Sequence, residues 1–157
     1  MKTKIVAAYP CLGKTTIANS NRERFFDREF FESRSTKNMS AEDRSRFFDL
    51  CADMIELQFL AKTHKVLFIS EDDKILRRLI CKKIPFELVL PNVFVDSVMS
   101  EYKTRVIKRS GEEWWERFIV PELPHLKDRI NFYKNQNLVK VYLTNENQYI
   151  DDVVDLE

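Results

Sequence analysis

The chain has 157 residues, with 26 Lys+Arg against 25 Asp+Glu, a net charge of +1 and 44% hydrophobic residues. That length suits one domain over 1–157 with a sizeable core, and the near-neutral charge argues against a nucleic acid partner or a membrane surface. No apolar run approaches the roughly 20 residues of a bilayer-spanning helix, and Cys11, Cys51 and Cys81, odd in number and without metal-ligand spacing, read as reduced cytoplasmic thiols.

Lys4-Ile5-Val6-Ala7-Ala8 is a short apolar run with the character of a buried strand. A loop containing Pro10 interrupts it, and Lys14-Thr15-Thr16-Ile17-Ala18 resumes as a helix to about Asn19. Strand, loop and helix start in that order describe a phosphate-binding loop, where unpaired backbone N–H groups can receive a polyphosphate. Pro10, Cys11, Leu12, Gly13, Lys14, Thr15 and Thr16 are the candidate binding residues. Lys14 is placed to reach the outer phosphates, and the Thr15 hydroxyl to ligate the magnesium that bridges them. The full Walker A pattern has glycine where Ala8 stands, and the plainer alternative is an ordinary helix start after a turn. Glycine scarcity favours the first reading: the chain has 2, and Gly13 is one of them, where backbone must approach a phosphate closely.

Arg24-Phe25-Phe26-Asp27 reads as a second strand, with Asp27 at the edge where open parallel sheets hold ligands. The alternative for Asp27 is a surface carboxylate in a charged segment. Residues 28–39 have no clean period and read as a long loop or a flap over substrate, with Phe30 and Phe31 as its two rings. Ser40 is an N-cap, followed by the acidic turn Glu42-Asp43. Phe47, Leu50, Cys51, Met54, Leu57 and Ala61 then follow at helical spacing, predicting a face packed on the sheet.

Lys65 to Ile69 is the clearest strand, followed by Ser70 and the acids Glu71, Asp72 and Asp73. Two readings stand for these acids: Glu71 or Asp72 holding magnesium through water, or all three capping a helix that runs to Lys83. Phe86 to Leu90 is a further strand, stopped by Pro91. The helix after it turns Val95, Val98, Met99, Tyr102 and Val106 inward. Arg105 and Arg109 stand one turn apart, flanked by Lys103 and Lys108; alone they read as a solvated face. Opposite a phosphate loop, two guanidinium groups at that spacing can embrace a transferring phosphoryl group.

Gly111 ends that helix, and the next carries Trp114, Trp115, Phe118 and Ile119 as packing residues before Pro121 and Pro124. Helix resumes over 125–135 with Leu126, Ile130 and Tyr133 inward, and Leu138 to Leu143 is the last strand. Thr144-Asn145 caps a closing helix that points Tyr149, Ile150 and Val153 at the core. Alternating strands and helices predict an α/β fold: a five-stranded parallel sheet in a three-layer α/β/α sandwich, with ligand beyond the strands' C-terminal ends.

Pro10, Gly13, Lys14 and Thr16 match the Gly-x-Pro-Gly-x-Gly-Lys-x-Thr loop of small P-loop kinases, with Ala8 and Cys11 in place of glycines. The chain resembles nucleoside monophosphate kinases, and more closely compact bacteriophage-encoded members of that superfamily. The residues that carry this second likeness are Ala7 to Pro10, Asp27, Ile84-Pro85-Phe86, and Tyr102 with Arg105 and Arg109. The resemblance implies a P-loop NTPase, adenylate kinase-like architecture and an ATP- and magnesium-dependent kinase. Lys14 and the loop amides would hold the donor phosphates, with Thr15 on the metal. Asp27 would touch metal or acceptor, and Arg105 and Arg109 would form a compact lid. It also places the donor base near 144–146, making Asn145 a binding candidate.

Three functions follow as expectations. The first is transfer of the ATP γ-phosphate to a nucleoside monophosphate, a small-molecule substrate. The second is a kinase for polynucleotide 5′ ends or another small molecule, against which the near-neutral charge counts. The third is a non-catalytic nucleotide-binding or host-interaction protein with a degenerate loop. The sequence does not set the oligomeric state.

Overall fold

In the computed structural model, which describes residues 1–28 and 36–157, the apolar runs become the strands of one sheet. These are β1 (Lys4–Ala8), β2 (Phe25–Arg28), β3 (Val66–Ser70), β4 (Phe86–Pro91) and β5 (Val139–Thr144). All pairings are parallel and the order is β2-β3-β1-β4-β5. The α/β fold with a five-stranded parallel sheet is therefore the one that the alternation of elements predicts. β1 lies at the centre, and Val6, Ala7 and Ala8 are wholly buried, as continuous apolar runs in covered parallel sheets should be. Register sets Ala8 beside Ser70 and Asp27 beside Phe68, so the ends of β1, β2 and β3 share one edge.

The helices are α1 (Lys14–Ser20), α2 (Ala41–Ala61), α3 (Asp73–Cys81), α4 (Asp96–Ser110), α5 (Glu112–Trp114), α6 (Leu123–Lys134) and α7 (Ile150–Val153). From β1 the chain passes outward to β2, then reverses direction through β3 to β4. The right-handed rule for crossovers between parallel strands places α1 on one face of the sheet, and α2 and α3 on the other. Side-chain contacts agree with a shared face for α2 and α3. Arg78 meets Asp49 at 2.7 Å and Lys82 meets Asp53 at 2.6 Å. α6 joins them, its Phe132 ring lying 4.1 Å beneath the Arg77 guanidinium.

Several sequence expectations are corrected. On α2 the buried residues are Phe48, Cys51, Ala52 and Ile55, while Leu50, Met54, Leu57 and Ala61 face outward and Phe47 is half-buried. The helix carries apolar residues around most of its circumference, so periodicity alone could not choose the face. On α4, Val98, Tyr102 and Val106 are buried, but Val95 precedes the helix and is exposed. Pro121 and Pro124 do not interrupt the segment after Gly111. A π turn over Trp115–Ile119 and a 3₁₀ turn over Val120–Glu122 carry the chain past the N–H groups that the prolines lack.

Phe118 is exposed and Trp114 half-buried, leaving Trp115 and Ile119 as the packing residues there. The closing helix begins at Ile150, capped where the Tyr149 N–H donates to Asp152 Oδ2 at 2.8 Å, and Tyr149 is exposed rather than inward. α3 ends at Cys81, short of Lys83. Of the proposed flap over 28–39, residues 29–35, including Phe30 and Phe31, lie outside the described residues. Among the described residues no helix is long and apolar enough to cross a membrane.

Two substitutions check this packing by urea denaturation. Ile55→Ala removes a wholly buried side chain and is expected to cost about 2–5 kcal/mol. Ser40→Ala deletes the hydroxyl that accepts the Asp43 N–H at 3.1 Å and is expected to cost about 1 kcal/mol.

Candidate functional site

The loop from Tyr9 to Gly13 leaves the central strand at the edge where α/β sheets hold ligands. Its side chains anchor it first. Tyr9 is buried and its hydroxyl donates to Glu122 Oε2 at 3.2 Å. Burial, then the Glu122 charge, pushes the Tyr9 pKa far above the ordinary phenol value, so it stays a neutral donor. Leu12 is buried as well.

The backbone is then held through three consecutive carbonyls. The Tyr102 hydroxyl donates to Pro10 O at 2.8 Å, Arg105 Nη1 to Cys11 O at 3.3 Å, and the Ile150 N–H to Leu12 O at 3.0 Å. These peptides are trans, and in a trans peptide the N–H points opposite to its C=O. The amides of Cys11, Leu12 and Gly13 are therefore directed away from those donors. None of the three finds an acceptor among the described residues.

This bend requires left-handed backbone at Cys11 (φ 63°) and at Gly13 (φ 99°). At Gly13 a Cβ would make ordinary contact with Tyr149 Cδ1 at 3.4 Å, so it is the φ that selects glycine. Cys11 accepts the strain, about 1–2 kcal/mol for a residue with a Cβ. Its buried thiol receives Arg109 Nη1 at 3.6 Å.

A cavity of about 790 Å³ opens on the loop. Pro10, Cys11, Gly13, Lys14, Thr15 and Thr16 form one wall; Arg105, Lys108, Arg109, Ser110 and Trp114 form another. Ser70 and Tyr149 complete it. Lys14 Nζ donates to Ala8 O at 2.8 Å, which occupies one of the three donors of an ammonium. Arg105 is heavily committed: Nη1 also reaches Gln148 O at 2.9 Å, Nη2 reaches Glu101 Oε1 at 2.7 Å, and the guanidinium lies 4.4 Å over the Tyr149 ring. Arg109 has only its thiol contact among the described residues, so most of its donors face the cavity unspent.

Thr15 Oγ1 donates to Asp27 Oδ2 at 2.8 Å, joining two predicted residues across 12 positions of sequence. Asp27 Oδ1 is buried and without a hydrogen-bond partner among the described residues. One hydroxyl and one carboxylate with a spare oxygen fit a hard divalent cation that takes its remaining ligands from phosphate and water. Among the described residues there is no group of three or more His, Cys, Asp or Glu that could cage a metal without such help.

Two predicted residues lie elsewhere. The Glu71 side chain is buried against Arg129, which also meets Glu122 at 3.1 Å and Asp73 at 3.6 Å. Ser70 stands at the cavity in its stead, with its Oγ buried and without a hydrogen-bond partner among the described residues. As for the helix-capping reading, Asp72 serves as N-cap of α3, accepting the Lys74 N–H at 2.9 Å. Asn145 is not in the cavity wall; its N–H donates to Gln148 Oε1 at 2.7 Å. Tyr149, four residues on, contributes that side of the cavity. Sequence reasoning missed Ser70, Ser110, Trp114 and Tyr149. Only Lys108, beside the two arginines on α4, carried a signal.

No protein-family model matches the chain, and no curated protein matches it. Among solved structures it is similar to one titled "Crystal structure of APE1195", at 17% identity and TM-score 0.44, covering 96% of this chain and 89% of that one. A likeness of that size says nothing of function.

The geometry predicts that Gly13→Ala is costly although it adds only a methyl group. With φ at 99°, a backbone that residues with a Cβ rarely adopt, the expected loss is about 1–3 kcal/mol, read as a lowered urea midpoint at unchanged slope.

Proposed function

We propose that this chain is a P-loop phosphotransferase, of three-layer α/β/α adenylate kinase-like architecture, that moves the γ-phosphoryl group of ATP to a nucleoside monophosphate. The observation that carries the reading is the loop after β1. Its carbonyls at Pro10, Cys11 and Leu12 are tied back, while the next three amides have no acceptor among the described residues and Lys14, Lys108 and Arg109 line the same cavity. Successive unpaired N–H groups in a bend with left-handed residues form an anion nest, and cations around it add to the potential. A polyanionic tail is the ligand that such a surface selects.

In this reading the loop amides and Lys14 hold the β- and γ-phosphates, and Arg109 follows the charge that spreads over the γ-phosphoryl oxygens in transfer. An oxygen of the acceptor phosphate attacks the γ-phosphorus. That P–O bond forms as the bond to the β–γ bridging oxygen breaks, and the electron pair leaves with ADP. No protein nucleophile is required. Thr15 and Asp27 are the residues that would hold magnesium, which when bound would supply charge neutralisation for the phosphates. Arg105, spent on Cys11, Gln148 and Glu101, shapes the loop and does not close on substrate.

A second reading, nucleotide binding without transfer, is favoured by one detail: the Lys14 ammonium already rests on Ala8 O. Calorimetry with magnesium-ATP and a panel of monophosphates separates the two. The kinase reading expects heat on ATP addition and diphosphate from at least one monophosphate, with turnover falling on the order of 100-fold or more in Lys14→Ala. Binding without product supports the second reading, and no binding ends both.

Cys11 reports on the same loop independently of turnover. Saturating ATP is expected to slow alkylation of Cys11 while leaving Cys81, the exposed thiol, unchanged. Equal Cys11 rates with and without ATP would contradict occupancy of the loop.

A further inference from the structure

Trp114 and Trp115 are neighbours in sequence with different surroundings. Trp115 is 4% exposed, its ring 6.1 Å from the Tyr102 ring of α4 in an edge contact, with the Lys103 ammonium 5.8 Å from its centroid. Consecutive residues on a helical turn point roughly 100° apart. Trp114 is accordingly only half-buried, and it stands in the wall of the cavity that opens on the loop after β1. The Phe118 ring backs it at 5.3 Å, tilted by 44°. An indole turned toward a polar cavity leaves apolar surface in water, a cost that a ligand with a flat surface of its own removes.

The groups beside Trp114 in that wall are polar and cationic. Lys108, Arg109 and Ser110 end α4, and Gly111, with φ 91° and its N–H on Ile107 O at 2.8 Å, turns the chain so that Trp114 follows next to them. Anion-binding groups and an indole in one wall match a ligand that is anionic at one end and flat and aromatic at the other. The size agrees: about 790 Å³ falls among pockets that enclose whole small molecules, beyond the needs of a phosphate tail. Tyr149, the other ring of the wall, is already engaged. The Arg105 guanidinium lies 4.4 Å over it, and its Cδ1 lies toward Gly13. The cations nearest Trp114 in sequence on its C-terminal and N-terminal sides, Arg117 and Lys108, divide in use: Arg117 lies over Phe118, and Lys108 lines the cavity.

We propose that Trp114 stacks on the base of the nucleotide whose phosphates occupy the loop. This contact rests on the phosphate-loop reading and adds a place for the base, away from Asn145, which stands outside the cavity wall. Stacking on an aromatic side chain accepts any base, since each has a π face, and gains about tenfold in affinity. Trp114 thereby selects nucleotides over bare polyphosphates.

Titration calorimetry with two probes, magnesium-ATP and magnesium-tripolyphosphate, tests this contact. Both are expected to bind the unaltered chain, ATP the more tightly by about tenfold. Trp114→Ala is expected to weaken ATP by about tenfold at unchanged tripolyphosphate affinity and circular dichroism, and Trp114→Phe, which keeps a ring, to recover most of the loss. ATP is also expected to quench tryptophan emission in the unaltered chain but not in Trp114→Phe, where Trp115 alone remains. Equal affinity for the two probes, or a Trp114→Ala variant that holds ATP as well as the parent, would overturn the stacking and leave the phosphate loop standing. Loss of both probes in both variants would assign Trp114 to packing and overturn it too. Failure of either probe to bind the unaltered chain would overturn the loop reading and the stacking together.

Discussion

Everything at the candidate site follows from how three peptide carbonyls are satisfied. Pro10, Cys11 and Leu12 emerge from the buried end of β1, where an unpaired carbonyl is costly. The fold supplies a donor for each from elements far along the chain: Tyr102 and Arg105 on α4, and the Ile150 amide at the start of α7. Once those oxygens are fixed, planarity leaves no choice about the amides on the other side of the same peptides. The row of outward-directed amides is thus the reverse side of a packing requirement. It also explains why Cys11 tolerates a left-handed backbone: the loop is determined by contacts on both flanks, and the local strain is small beside them.

The cations around the cavity divide by how many donors they have already used. Arg105 links α4 to the loop and to the segment before α7, and its ring contact with Tyr149 fixes that tyrosine beside Gly13. Arg109, one turn further, touches only a thiol among the described residues and keeps its capacity to bind an anion. Arg129 forms a separate cluster with Glu71, Asp73 and Glu122, and Glu122 in turn receives the Tyr9 hydroxyl. That cluster braces the loop from beneath. A buried carboxylate such as Glu71, matched to its own arginine, is a structural element, because separating the pair would leave a desolvated charge.

α2 shows how far a one-dimensional pattern can mislead. Leucines and a methionine at helical spacing read as a core face, and the stripe is real. The sheet, however, takes the neighbouring face of Phe48, Cys51, Ala52 and Ile55, whose small residues let the helix approach closely. Two apolar faces on one helix give a weak amphipathic signal, and only the placement of α3 against α2, through Arg78 and Lys82, settles which face turns inward. The leucine stripe is left outside the core.

The sequence by itself determined the alternation of apolar runs and capped helices, and with it the parallel five-stranded sheet and the loop after β1. Those features rest on local physics: residue volume, period, the Ser40 cap, and the backbone freedom of Gly13. It also brought Asp27 to the strand edge where Thr15 meets it. Tertiary structure alone decided the rest. Glu71 and Ser70 are adjacent in the chain, yet one is claimed by Arg129 and the other faces the cavity. Tyr149 and Trp114 reach the cavity from just before α7 and from the end of α5, a matter of which distant groups meet. No local preference encodes that, since it depends on how every buried polar atom across the fold finds its match.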